Sequence, residues 1–383
     1  MKRVPLVLAV ATLMLAPSEG FASRLRLGPE ELVRANGLAI QVPGYSVPSL
    51  ADWNNDGLAD LIIGEGGGTS PGKIRIYLNV GTESGPQFSD YSYAQCAGAN
   101  LTVPASGCLG CFPRVIYWDA DDRKDLLVGL TDGTVRVFPN VGTDFAPTFD
   151  APLTVQVGVP AVNLAVGARA MPAFVDWNSD GMTDLVVGAI DGKIHIYINC
   201  GCGGAVPPHF YYSDPIGDFA KENDQDLVVP SARSSPVVLD LDSDGKKDLL
   251  TGNTEGELLF YRNVGTDANP KFSGYSLVGY DGIPINLAGS PRSRPFVCDW
   301  TDDGYLDVLI GAGDGKIHLY QSVPQSGDID KDYDVDLTDF AWLSIFWHQT
   351  GCGKCAGADL TGDGKVDIRD VAELAAHWLA GIE

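Results

Sequence analysis

Asp52-Trp53-Asn54-Asn55-Asp56-Gly57-Leu58-Ala59-Asp60-Leu61-Ile62-Ile63-Gly64 is the stretch on which the chain is organised. Oxygen-bearing side chains stand at positions 1, 3, 5 and 9, glycine at 6 permits a sharp turn, and an apolar run follows. Tight acidic loops offer oxygens from alternate residues, and a hard cation such as calcium takes six to eight of them at about 2.3–2.6 Å. The pattern recurs in boxes that begin at Asp52, Tyr117, Asp176, Asp240 and Asp299, at steps of 65, 59, 64 and 59 residues.

Each box has the same surroundings. A proline and a short apolar run come first, as in Pro236-Val237-Val238-Leu239, and Asp-Leu-x-x-Gly or a close variant follows. A turn such as Asp191-Gly192 or Asp314-Gly315 then opens an alternating strand, Lys193-Ile194-His195-Ile196-Tyr197 or Lys316-Ile317-His318-Leu319-Tyr320. Asn-Val-Gly-Thr, Pro-x-Phe and a weaker strand complete the unit. Period-two alternation between Gly, Pro, Asn and Asp clusters spells about four strands per unit. Five such units, from about residue 24 to 322, predict a mainly β fold, a five-bladed β-propeller of four-stranded blades.

The last unit lacks its Pro-x-Phe tail, while Gly37-Leu38-Ala39-Ile40-Gln41-Val42-Pro43 resembles Gly282-Ile283-Pro284-Ile285-Asn286-Leu287. Residues 24–45 are therefore expected to complete the last blade and close the ring, which removes exposed sheet edges. Trp53, Trp118, Trp177 and Trp300 hold position 2 of four boxes, with Leu241 in the remaining one. Such regular recurrence predicts packing between blades, and the equivalent His195 and His318 read as blade residues too.

Repeated in register over nearly 300 residues, the box and its Asp-Leu-x-x-Gly tail resemble the FG-GAP/VCBS-type repeat family. The resemblance implies a calcium-containing propeller in an exported or cell-surface protein. The expected ligands are Asp52, Asn54, Asp56, the Leu58 carbonyl and Asp60 in the first box, and Asp176, Asn178, Asp180 and Asp184 in the third. The fourth, the most acidic, offers Asp240, Asp242, Asp244 and Asp248, and the fifth Asp299, Thr301, Asp303 and Asp307. The second departs, with Tyr117 at position 1 and Asp122 in place of the turn glycine, leaving Asp119, Asp121 and Asp125. A structural rather than sensing role for calcium is expected.

Beyond Pro324 the pattern changes. Asp328, Asp330, Asp332, Asp334, Asp336 and Asp339 precede the apolar run Phe340 to Trp347. A second copy, Asp359, Thr361, Asp363, Gly364, Lys365, Asp367 and Asp370, precedes Val371 to Leu379. The spacing is that of a twelve-residue EF-hand loop with aspartate for the usual glutamate at position 12. Two loop–helix units, with Trp347 and Trp378 at matching places, resemble a type I dockerin, a calcium-dependent plug for a cohesin domain. The resemblance implies ligands at Asp328, Asp330, Asp332, Asp334 and Asp339, and at Asp359, Thr361, Asp363, Lys365 and Asp370. It implies partner contacts at loop positions 10 and 11, here Leu337-Thr338 and Ile368-Arg369. Tyr333 stands where the first loop should have glycine, so that turn is expected to be altered.

Lys2-Arg3, the apolar run Val4 to Ala16 and Gly20-Phe21-Ala22 have the layout of a secretory signal, too short to span a bilayer. The expected organisation is a signal at 1–22, a propeller at 23–323 and a dockerin-like module at 324–383. Twenty-six basic against 50 acidic residues give −24, which repels nucleic acid and anionic membranes; no later segment is long and apolar enough for a membrane span. An even cysteine count in an exported chain favours disulfides, with Cys96 pairing Cys108 or Cys111, Cys352 pairing Cys355, and Cys298 free.

Gly68-Thr69-Ser70-Pro71-Gly72 has the letters of a nucleophile elbow but falls between two strands rather than at a strand-to-helix turn. The irregular segments 95–114, 200–226 and 275–294, with Tyr91, Tyr93, Tyr211, Tyr212, Tyr275, Arg292 and Arg294 in or beside them, suit carbohydrate or protein contact. The function expected is a secreted, monomeric, non-catalytic calcium-binding module for carbohydrate or protein, tethered to a cohesin-type partner. The alternative is a calcium-dependent polysaccharide lyase or glycoside hydrolase carried on the propeller.

Overall fold

Where apolar residues alternate, the chain pairs into four-stranded antiparallel meanders, one per repeat. In the third unit Met171–Val175, Asp184–Gly188, Ile194–Asn199 and Phe210–Tyr212 run side by side in register. The second strand is the same device in every unit: Asp60–Gly67, Asp125–Gly129, Asp184–Gly188, Asp248–Gly252 and Asp307–Gly311 are buried along their whole length. The structure, a computed structural model, describes residues 25–107, 110–201, 207–212, 219–287, 289 and 291–378. The expected signal lies outside the described residues, as do Cys108 and Cys202.

The first strands, Val47–Ala51, Phe112–Ile116, Met171–Val175, Ser235–Leu239 and Arg294–Cys298, neighbour one another in a closed ring of five. The glycine of the Asp-Leu-x-x-Gly motif makes this approach possible. A Cβ on Gly64, Gly129, Gly188, Gly252 or Gly311 would stand 2.4, 2.2, 2.3, 2.1 or 2.3 Å from a carbonyl oxygen of the next blade. The motif glycine is thus a requirement of blade packing rather than of backbone dihedral.

Two further devices join neighbouring blades. The tryptophans at position 2 pack on the Pro-x-Phe phenylalanine of the following blade: Trp53 on Phe149, Trp118 on Phe210, Trp177 on Phe272 and Trp300 on Phe88, with centroids 5.8–6.3 Å apart. At the remaining junction both partners shrink together, and Leu241 shares a buried cluster with Leu27. Each unit also ends in a two-residue hairpin that pairs in parallel with the next blade, as in Val157 with Phe210 and Ala35 with Phe88.

The ring closes as expected. Leu27–Leu32 forms the outer strand of the last blade, antiparallel to Ile317–Ser322, and Arg34–Ala35 with Leu38–Ala39 supplies the missing tail hairpin against the first blade. His318, buried in that last blade, shares its ring nitrogens with Glu30 at 2.8 Å and Asp314 at 3.3 Å. Gly68-Thr69 forms the turn between Asp60–Gly67 and Ser70–Asn79, so the serine opens a strand and does not stand at a strand-to-helix turn.

Two nine-residue helices follow, α1 at Leu337–Ile345 and α2 at Ile368–Ala376, each opened by an aspartate capping box, Asp336 with Asp339 and Asp367 with Asp370. Val335, Leu343, Val366 and Leu374 form their small shared core. Cys352 and Cys355 are joined by a disulfide. Cys96, Cys111 and Cys298 are free thiols, so the expected pairing of Cys96 with Cys108 or Cys111 is not made, while Cys298 is free as expected.

Replacing Gly188 by alanine should cost about 2–4 kcal/mol, because backbone of the next blade must move to admit the methyl. Denaturant unfolding of the full chain checks it; a loss below about 1 kcal/mol would contradict the close approach.

Candidate metal centres

Each acidic box fills the turn between the first and second strands of its blade. In the first box Asp52 accepts the N–H groups of Asp56 and Gly57 at 3.1 and 2.9 Å, and Asp56 accepts that of Leu58 at 2.9 Å. Asp176 holds Asp180 and Gly181 at 3.2 and 2.9 Å, and Asp299 holds Asp303 and Gly304 at 3.0 and 2.7 Å. The C-terminal loops repeat this arrangement: Asp328 accepts from Asp332 and Tyr333, and Asp359 from Asp363 and Gly364, all at 2.8–3.1 Å. The position-6 residue has positive φ throughout, from 58° at Asp122 to 90° at Gly57 and Gly304, which explains the glycine preference.

The ninth residue plays a part that spacing alone did not reveal. Asp60, Asp125, Asp184, Asp248 and Asp307 are at most 1% exposed. One oxygen of each accepts the N–H of position 2, at 2.8, 3.0, 2.9, 3.1 and 2.7 Å in chain order. The other accepts an N–H at the end of the third strand, from Asn79, Asn140, Asn199, Asn263 and Ser322, at 2.6–2.8 Å. These carboxylates tie box to blade whether or not they also touch a cation. Burial raises Asp60, Asp184 and Asp307 to about 6 and Asp248 to about 7, against the two N–H bonds that pull each down.

The boxes are not equivalent. The fourth, most acidic in sequence, carries its own counter-charges: Arg262 meets Asp242 at 2.7 Å and Asp244 at 3.2 Å, and Lys246 meets Asp244 at 2.9 Å. Its Asp240, Asp242 and Asp248 nevertheless bring carboxylate oxygens within 4.8 Å of one another. In the second box Arg123 pairs with Asp121 at 2.6 Å, and buried Lys124 reaches Asp144 and the Asn55 side chain of the preceding box. Lys247 repeats that bridge, donating to Ser179 Oγ at 2.7 Å. The first and third boxes have Asn54 and Asn178 at position 3, each amide donating to the aspartate two residues on.

In the C-terminal module Asp328, Asp330 and Asp339 converge within 4.8 Å, as do Asp334, Asp336 and Asp339. Asp336 is a site residue absent from the expected ligands. Burial and neighbouring carboxylates raise Asp328 to about 6 and Asp330 to about 7. Buried oxygens with no hydrogen-bond partner remain on Asp330 and Asp240. Crowded, desolvated carboxylates with spare lone pairs suit a hard divalent cation, so these residues fit calcium. In the second loop Thr361 fills position 3 and donates to Asp370 through N and Oγ, both at 3.0 Å.

Tyr333 turns out to be a contact rather than a defect. It is buried, its ring meets Tyr305 of the fifth box edge-on at 5.4 Å, and its hydroxyl accepts the Leu306 N–H at 2.7 Å. Tyr305 donates in return to the Asp328 carbonyl at 3.1 Å, and Lys331 donates to the Asp303 carbonyl. The first C-terminal loop is seated on the fifth box.

An FG-GAP-like repeat family model matches residues 176–251, the third box through the strand after the fourth. Comparison with curated proteins gives no match. Among solved structures, the chain is similar to the Photorhabdus luminescens Tc holotoxin pore at 14% identity and a TM-score of 0.35, over 79% of this chain and 15% of that one. It is similar also to a putative oxidoreductase (glucose dehydrogenase) from Thermus thermophilus at 15% identity and a TM-score of 0.41, over 77% of this chain and 100% of that one.

Asp184→Asn should destabilise the propeller by about 2–3 kcal/mol, since the amide nitrogen opposes a buried N–H that then has no acceptor. The raised carboxylates set a pH dependence as well. Folded chain without cation binds more protons than unfolded chain between about pH 4 and 7, so stability falls as pH rises through that window. Denaturant midpoints at pH 5 and pH 7.5 in chelator test the sign; a higher midpoint at pH 7.5 would refute it.

Proposed function

We propose that the chain is an exported, calcium-stabilised propeller that works as a non-catalytic binding module for carbohydrate or protein, with a dockerin-like C-terminal plug for a cohesin-type partner. One observation carries the calcium reading. The loops at Asp52, Asp176, Asp299, Asp328 and Asp359 share one backbone conformation, in which the first carboxylate holds the N–H groups of residues 5 and 6.

The residues that would hold calcium are Asp52, Asn54, Asp56, Asp176, Asn178, Asp180, Asp240, Asp242, Asp248, Asp299, Thr301 and Asp303 in the propeller. In the plug they are Asp328, Asp330, Asp332, Asp334, Asp336, Asp339, Asp359, Thr361, Asp363 and Asp370. The ion supplies charge neutralisation and fixes each turn. The second box, where Arg123 and Lys124 already stand against the carboxylates, is the weakest of the set. At affinities of about 10⁻⁴–10⁻³ M, typical of extracellular modules, about 10 mM calcium stabilises by roughly 1.4–2.7 kcal/mol per site.

Support for a partner is the apolar surface of the plug. Leu337, Ile345 and Ile368 are 70%, 64% and 68% exposed, and Phe340, Trp342 and Trp347 are exposed beside them on α1 and just beyond it. A module this small leaves such side chains in water at a cost unless another surface covers them. Thr338 and Arg369 occupy the matching helix starts, Arg369 pairing with Asp363 and Asp367 at 2.7 and 3.1 Å.

Calcium should raise the thermal midpoint of the full chain by more than about 5 °C, and chelator should reverse it; no shift would refute structural calcium. Capture on a panel of immobilised cohesin domains should need calcium and fall at least tenfold in Leu337→Glu/Ile368→Glu at unchanged thermal midpoint. Release of new sugar ends from a panel of plant and algal polysaccharides would replace the binding-module reading with the enzymatic one.

A further inference from the structure

Each first strand runs from one face of the propeller to the other, ending at an acidic box. The positions two residues before these strands are Tyr45, Gly110, Arg169, Arg233 and Arg292, equivalent by the five-fold repeat. Three arginines and a tyrosine thus surround the axis on the face opposite the boxes. Arg294, the first residue of its strand and only 2% exposed, joins them.

These residues meet at one void. Arg169, Arg233, Arg292, Arg294, Ser235 and Asn253 line one small void of about 10 Å³, and no carboxylate is among the described lining residues. Arg292 donates to Tyr45 Oη at 2.5 Å, and its buried Nε has no hydrogen-bond partner. The Arg292 and Arg294 guanidinium groups lie 5.2 and 5.0 Å from the centroid of the Tyr45 ring. Asn253 donates to Glu257 at 2.8 Å, so one carboxylate stands behind the lining.

Two features set this cluster apart from ordinary surface arginines. Arg169, Arg233 and Arg292 have φ of 59°, 60° and 80°, a left-handed backbone that a residue with a Cβ adopts at a cost of order 1–3 kcal/mol. Three arginines bear that cost at one repeat position, where a glycine would avoid it. The chain as a whole carries −24, yet four arginines line one void, two of them with guanidinium groups on the same Tyr45 ring.

An anion accounts for both. Guanidinium donors form a fixed fork that matches carboxylate and sulfate oxygens, and a void of this size admits one water-sized atom. We propose that the arginine ring binds an anionic group, one of whose oxygens enters the axial void between Arg169, Arg233, Arg292 and Arg294. A free inorganic anion and the acidic unit of a polysaccharide both present this chemistry. The site lies apart from the calcium boxes and does not depend on how they are filled.

The test is calorimetric titration of the calcium-loaded full chain, at fixed ionic strength, with sodium sulfate, digalacturonate and neutral cellobiose. Saturable binding of sulfate and digalacturonate with similar affinity supports a site for free anions. Digalacturonate binding at least tenfold tighter than sulfate supports an acidic glycan as the source. Arg169→Gly/Arg292→Gly, which suits the left-handed backbone, should weaken either ligand at least tenfold and leave the ligand-free thermal midpoint within about 3 °C. Absence of any saturable signal above cellobiose in the unmodified chain overturns the proposal whatever the variant does. Undiminished binding by the folded variant overturns it as well.

Discussion

The buried carboxylate at position 9 of each box is the contact on which the propeller depends. Asp184 is typical: one oxygen grips the main chain at Trp177, the other at Asn199, so a single side chain joins the box, the second strand and the end of the third. The residues it fixes do the next tasks. Trp177 turns its ring onto Phe272 of the following blade. In the Asn-Val-Gly-Thr units the asparagine passes the order outward, as Asn79 accepts from Gly81 and Gln87. Each buried N–H left without its acceptor would cost about 1–3 kcal/mol, and the arrangement occurs in all five blades.

Much of this was legible in the letters. Alternation, box spacing and the missing tail gave five blades and the N-terminal closing strand, because those features follow from period-two burial and the need to pair every edge. Position-2 tryptophans read correctly as packing residues because they recur with the repeat. What spacing hid was the direction of side chains. The second oxygen of Asp60 points to Asn79, 19 residues on, and no local rule names that partner. The counter-charge of the fourth box was hidden for the same reason, since Arg262 arrives from beyond the third strand to face Asp242. Tyr333 looked like an awkward substitute for glycine; only tertiary contact with Tyr305 gives it a purpose.

Electrostatics divides the propeller into two unlike ends. Carboxylates crowd the turns at one end of the first strands, and arginines collect at the other, separated by strands of five residues, or about 17 Å. The C-terminal module sits on the acidic end, where the Lys331 ammonium and the Tyr305–Tyr333 pair meet the fifth box. Among the described residues, none of that module lines the arginine void.

Closure by the N-terminal strand also orders events during synthesis. Glu30 and its partner His318 are 288 positions apart, so the strand that holds Glu30 waits for almost the last strand of the propeller. Its edge stays open through the making of all five units, and closing so long a loop costs entropy that local hairpins do not face. Blades can form as they emerge, whereas the ring cannot, and contacts this distant make for slow folding. An interrupted chain would leave two unmatched sheet edges, one at each end of an open arc, each able to pair with another chain.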